Sequence, residues 1–246
     1  MNLLYVSNHR FIKKNNGEVF TTGQMGIAYF DRFRNFFDKV TVIGLCEDEN
    51  KTNTRKAVEK VDTNSNFVRY EFIKTSGSPI GILLSLRKII RQIFELIPNH
   101  DRMATKAPSL IANAAVRIAK KNNIPILVEM VGCPWDAYWN HSMKGKFIAL
   151  PIFLLTRNLV KRAQYVVYVS NSFLQRRYPT KGKKLGCSDV SLPPLDDDIL
   201  ELRLNKINQM SNKEPIVLGT VAAVSVKYKG QEYVIKAIAK LNEEGY

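Results

Sequence analysis

The run from Ile124 to Val131 constrains this chain more than any other stretch, because every position in it except Glu129 is apolar. A strand without polar alternation has both of its faces covered, which is the situation of a central strand in a parallel sheet with helices above and below. Further apolar or β-branched runs occur at Leu3–Ser7, Val40–Leu45, Phe67–Ile73 and Tyr165–Ser170, with shorter candidates at Asp101–Thr105 and Asp189–Leu192. Between them, apolar residues recur at helical spacing: Met25, Tyr29, Phe33 and Phe36; Leu83, Leu86, Ile90, Ile93 and Ile97; Leu110, Ile111, Ala114, Ala115 and Ile118. Strands and helices in alternation predict an α/β fold with right-handed crossovers. The runs 3–7, 40–45, 125–131 and 165–170 are expected to lie parallel in one domain of residues 1–195.

The segments between these elements carry the candidate chemistry. A polar loop with Gly17, Thr21, Thr22 and Gly23 is predicted after the first strand, at the carboxyl end where open α/β sheets place ligands. Residues 46–66 read as a long charged loop. Pro108 is placed in the first turn of a helix, where proline is tolerated. Ser170 and Ser172 are placed to cap the helix that follows. Pro193 and Pro194 interrupt regular structure, and 196–214 reads as a linker containing a charged helix from Asp196 to Met210. The final segment, 215–246, predicts a strand over 216–222, a loop with Lys227, Lys229 and Gly230, and a helix over 231–243. Glycine allows close backbone approach, and two ammonium groups beside a helix N-terminus suit a diphosphate. A solvated surface loop is the other reading of the same residues.

Glu129 in a central strand is costly unless it is paired, so it predicts either a strand end facing a cleft or a structural ion pair. Trp135, Asp136, Tyr138 and Trp139 follow at once. Rings that stack on sugar faces and a carboxylate that accepts from hydroxyls would make this a saccharide cleft; a packed loop is the alternative.

The formal charge of +15 and pI near 9.7 imply an acidic partner: nucleic acid, anionic lipid or a phosphorylated substrate. The segments 80–97 and 144–163 are apolar helices with basic flanks. Each is expected either to pack on the sheet or to lie on an anionic membrane surface. Cys46, Cys133 and Cys187 are scattered and fit reduced thiols, so no zinc site is predicted and the expected location is the cytoplasm. The Leu3–Val6 run is too short for a signal peptide.

The lysine–glycine pair between strand and helix resembles the opening of the C-terminal domain in retaining family-four glycosyltransferases of the GT-B fold. That resemblance implies two Rossmann-like domains, of which the second ends here after its first strand and helix, as in a fragment. It implies transfer of a hexosyl unit from a nucleotide-sugar donor to a saccharide or lipid-linked acceptor in surface-polysaccharide synthesis, with no cofactor and no metal. Lys229 and Gly230 match the pair that grips the donor diphosphate, with Gly23 facing it. Ala222 and Ala223 stand where the family has an arginine, which leaves Lys227 as the nearby cation. Val131 stands at the family's histidine, and His9, His100 and His141 do not align with it. Glu129 and Asp136 are therefore the expected catalytic carboxylates, and Trp135 and Trp139 the expected acceptor platform. The enzyme is expected on the inner face of the membrane, and the fragment alone is expected to be inactive. A scaffold module with a degenerate transferase fold is the main alternative. A nucleic-acid binder is disfavoured because no recognisable module appears.

Overall fold

β-branched and aromatic residues crowd the predicted strands, and such runs bury their surface by pairing edge to edge. The computed structural model describes residues 1–21, 25–49, 59–75, 79–190, 195–196, 198–209, 217–221 and 229–245. Among these, nine strands join one sheet. Seven are parallel, in the order β5 (Val68–Lys74), β3 (Lys39–Asp48), β1 (Asn2–Lys13), β6 (Arg102–Ala107), β7 (Ile126–Met130), β8 (Tyr165–Tyr168) and β9 (Lys183–Gly186). The four strands expected to be parallel are so.

Alternation along each strand divides the core in two. Leu4, Val6, Ile43, Met103, Val128 and Met130 face one side and pack with Ile89 and Ile93 of α2 (Pro79–Leu96). On that side they also meet Ile111 and Ala115 of α3 (Leu110–Lys121) and Leu159 of α5 (Met143–Arg162). The opposite face carries Leu3, Tyr5, Val40, Val42 and Ala104. It is covered by Phe30 of α1 (Ile27–Phe30) and by Phe33 in the 3-10 turn Asp31–Phe33. A single α/β sheet with helices on both faces is the result.

Several expectations are corrected. The first strand does not end at Ser7: it shifts register between Val6 and Arg10 and runs on to Lys13. It then turns back as an antiparallel hairpin with β2 (Val19–Thr21), which pairs in turn with β4 (Glu59–Lys60). Phe11, Ile12 and Val19 are buried, so this hairpin has a core to hold it, and Gly17 at φ +87° makes its turn. The predicted polar loop is thus largely strand, and the charged 46–66 segment begins as strand to Asp48. The helix expected around Met25–Phe36 is only α1 plus the 3-10 turn. Ser109, not Pro108, starts α3: its side chain accepts a hydrogen bond from the Ala112 amide. Ser170 accepts from the Leu174 amide at 3.0 Å and caps α6 (Phe173–Arg177), whereas Ser172 makes no cap bond. An unexpected strand forms at Lys183–Gly186; of the strand expected at 189–192, Asp189 and Val190 form none, and Ser191, Leu192, Pro193 and Pro194 lie outside the described residues. Residues 217–221 are exposed and form no strand, since no second sheet among the described residues offers them a neighbour. The helix expected next is present as α8 (Gln231–Glu243).

The chain divides into two compact units, residues 1–135 with 150–188, and residues 136–149 with 189–246. The first contains the whole sheet and both cores. The second contains α7 (Asp198–Gln209) and α8, which bury none of their described side chains.

Candidate functional site

In the first unit, Glu129 points to the face opposite Val128 and Met130, near the carboxyl end of β7, and is buried. A lone carboxylate there would be strongly destabilising, and the structure supplies its partners. Tyr5 and Tyr29 each donate from the phenol to Glu129 Oε2 at 2.9 Å. Arg32 donates from Nη2 to Oε1 at 2.6 Å. Of the two sequence readings for Glu129, the ion pair is the one observed. Its partners come from β1, α1 and the 3-10 turn, so the network fastens the short α1 segment to the middle of the sheet.

Burial, and after it the Glu129 charge, push the Tyr5 and Tyr29 phenols well above their ordinary range, which keeps both as donors. Burial disfavours the Arg32 charge, but Glu129, Tyr29 and Tyr5 together outweigh it and the guanidinium is held more firmly protonated than usual. The Arg32 side chain is 44% exposed, so the member of this cluster that meets solvent is the guanidinium, not the carboxylate. It lies 4.1 Å from the centroid of the Tyr29 ring and 4.6 Å from that of Phe33. Lys106, paired in register with Glu129, brings its Nζ to 4.7 Å from the centroid of the same Tyr29 ring. Two cations therefore converge on one tyrosine at the carboxyl ends of β6 and β7, the edge where open α/β sheets bind ligands. Sequence reading missed Tyr5, Arg32 and Lys106. The signal available was the lone carboxylate in β7, which demanded a cation without saying which.

Trp135, also in this unit, is half-buried, its ring edge-on to Phe153 at 5.8 Å between centroids. Within the second unit, Asp136 sits in the first turn of α4 (Pro134–Trp139), and its main-chain carbonyl accepts from the Asn140 side chain at 2.9 Å. Trp139 is partly exposed, with the Lys146 ammonium 5.4 Å from its ring centroid. Lys229 is exposed, and Gly230, at φ +86°, is the N-cap of α8. Gly23 and Lys227 lie outside the described residues. His100 is structural, its ring nitrogens 2.7 Å from the Leu96 carbonyl oxygen and 2.8 Å from Thr41 Oγ1.

No family model matches the chain. Protein CapJ of Staphylococcus aureus is 30% identical over 249 residues, in an alignment that takes in all of this chain and 59% of CapJ. The chain thus spans less than two thirds of the relative it matches. Among solved structures, sucrose-phosphate synthase from Thermosynechococcus elongatus superposes with a TM-score of 0.52 at 13% identity, over 82% of this chain and 52% of that one. The fold is of the GT-B type. The GT-B likeness takes in most of the chain, as the sequence resemblance implied, and it concerns fold alone.

Proposed function

We propose that the chain is the acceptor-side domain, with the opening of the donor-side domain, of a nucleotide-sugar-dependent glycosyltransferase of the retaining family-four type. The observation that carries this reading is the GT-B sheet with a cationic pair, Arg32 and Lys106, held at the carboxyl ends of its central strands. In this reading a hexosyl unit passes from a nucleoside-diphosphate sugar to a saccharide on a lipid carrier, in the assembly of a surface polysaccharide.

The residues take separate roles. Glu129 is a positioning residue: it fixes Arg32, which with Lys106 meets an anionic group of the acceptor. Asp136 accepts from an acceptor hydroxyl, and Trp135 and Trp139 offer ring faces to sugar. Lys229, with Gly230, Lys227 and Gly23, grips the donor diphosphate. As the glycosidic bond breaks, the leaving diphosphate gains negative charge, and ammonium groups fixed beside it lower the barrier without a metal ion.

Nucleoside diphosphate binding tests the donor half. Titration of the chain with UDP, GDP and ADP, followed by saturation-transfer NMR, should show binding of one of them at about millimolar levels, weakened about tenfold in Lys229→Ala; one lost hydrogen bond to a charged group has that size. Absence of binding by all three diphosphates would refute the donor assignment. Retention on random DNA that falls steeply with salt would favour the nucleic-acid reading instead.

A further inference from the structure

The Glu129 cluster turns one charged group outward and holds it in place. Tyr5 and Tyr29 fill Oε2 of the carboxylate and Arg32 fills Oε1, so Glu129 itself is occupied from within the first unit. Among the described residues Arg32 donates to Glu129 alone, and through Nη2 alone. Its Nε and Nη1 groups belong to a side chain that is nearly half exposed. The carboxylate and the rings of Tyr29 and Phe33 together hold the guanidinium. A planar donor fork fixed in this way loses little freedom when it takes up an anion.

The donors on this face decide which anion fits. A carboxylate presents two oxygens in one plane, and one guanidinium edge meets both with parallel N–H···O bonds. A phosphate presents three terminal oxygens, and helix N-termini supply the main-chain N–H groups that hold them. In the first unit this face is covered by α1, four residues long, and by the 3-10 turn. The longer α3 packs on the opposite face, and its Ala112 amide is already taken by Ser109. What stands here is one guanidinium edge, with the Lys106 ammonium against the same Tyr29 ring. That set matches a carboxylate and falls short of a phosphate.

We infer that the acceptor is an acidic saccharide, which Arg32, with Lys106 beside it, selects by the carboxylate of a uronic acid unit. This choice of acceptor rests on the transferase reading proposed above and names the class of sugar met at the carboxyl ends of β6 and β7.

Binding of simple sugars tests it. Methyl glucuronide, methyl galacturonide, methyl glucoside and glucose 6-phosphate are titrated into the chain and followed by saturation-transfer NMR. One of the two uronides should bind at least about tenfold more tightly than the neutral glucoside, the factor contributed by one hydrogen bond to a charged group. Arg32→Lys keeps a cation beside the buried Glu129 and removes the planar fork. It should weaken uronide binding about tenfold and leave the glucoside unchanged, with far-UV circular dichroism matching the parent. Lys106→Gln is a second variant that leaves the three donors to Glu129 intact, and it should weaken uronide binding by up to about fivefold. A purely structural Arg32 would weaken both sugars together. Equal binding of uronide and glucoside, binding of neither uronide, or tighter binding of glucose 6-phosphate would overturn the assignment. Nucleoside diphosphates report separately on the transferase reading. A chain that binds one of them without preferring a uronide has lost only the acceptor class, whereas one that prefers a uronide and binds no diphosphate has lost the donor half.

Discussion

At the scale of the residue, the Glu129 cluster makes the chain sensitive to alkali. Tyr5 is fully buried, and its phenol is raised above the ordinary value first by burial and then by Glu129. In the unfolded chain a tyrosine ionises near pH 10. Above that pH the unfolded state has released a proton that the folded state still holds, so stability is complete below about pH 10 and falls as pH rises. The variant Tyr5→Phe keeps the volume and removes the proton. Its stability between about pH 10 and 11.5 should fall less steeply than the parent's, by up to about 1.4 kcal/mol per pH unit. Urea unfolding at a series of alkaline pH values measures this directly. An unchanged slope would mean that Tyr5 titrates as it does in water.

At the scale of the element, the outer strand β9 depends on a close backbone approach. A Cβ built on Gly182 would lie 2.2 Å from the Gln164 carbonyl oxygen and 2.6 Å from that of Ala163. Both neighbours are main chain, and the same Gln164 carbonyl accepts from the Lys183 amide at 2.9 Å, the bond that seats β9 beside β8. Gly182→Ala should therefore push β9 off the sheet edge and cost about 1–3 kcal/mol, the usual range for overpacking. A urea midpoint equal to the parent's would show that the edge absorbs a methyl group freely. The exposed Lys183 and Lys184 keep that edge from pairing with another chain, since charge on an edge strand opposes addition of a further strand.

At the scale of the whole molecule, stability lies in the first unit. Both hydrophobic cores and every strand among the described residues belong to residues 1–135 and 150–188, whereas α7 and α8 bury none of their described side chains. Helices of 12 and 13 residues without a buried face have little beyond their own propensity to hold them, and helices this short are marginal in water. A chain ending at Ser188 should unfold within about 4 °C of the full chain, the shift expected for 1 kcal/mol in a protein of this size. Calorimetry of the two chains decides it, and a drop beyond about 10 °C would show that the second unit supports the sheet.

What the sequence determined by itself was the central parallel strands of the sheet. The largely apolar runs at 3–7, 40–45, 124–131 and 165–170 became parallel strands because that arrangement covers both faces of so many β-branched and aromatic residues. Helices 79–96 and 231–243 were legible for a similar reason, since their apolar periodicity is a local property of the chain. Local pattern also showed that Glu129 needed a partner. Only tertiary structure chose Tyr5, Tyr29 and Arg32, which lie 97 to 124 residues away in sequence. It also decided that β1 runs on through His9 and Arg10 into a hairpin, because Phe11 finds a core supplied by residues such as Tyr70 and Phe72, far from it in sequence. Period and propensity act within a few residues of the chain, whereas the partner of a buried charge is set by which strands become neighbours in the sheet.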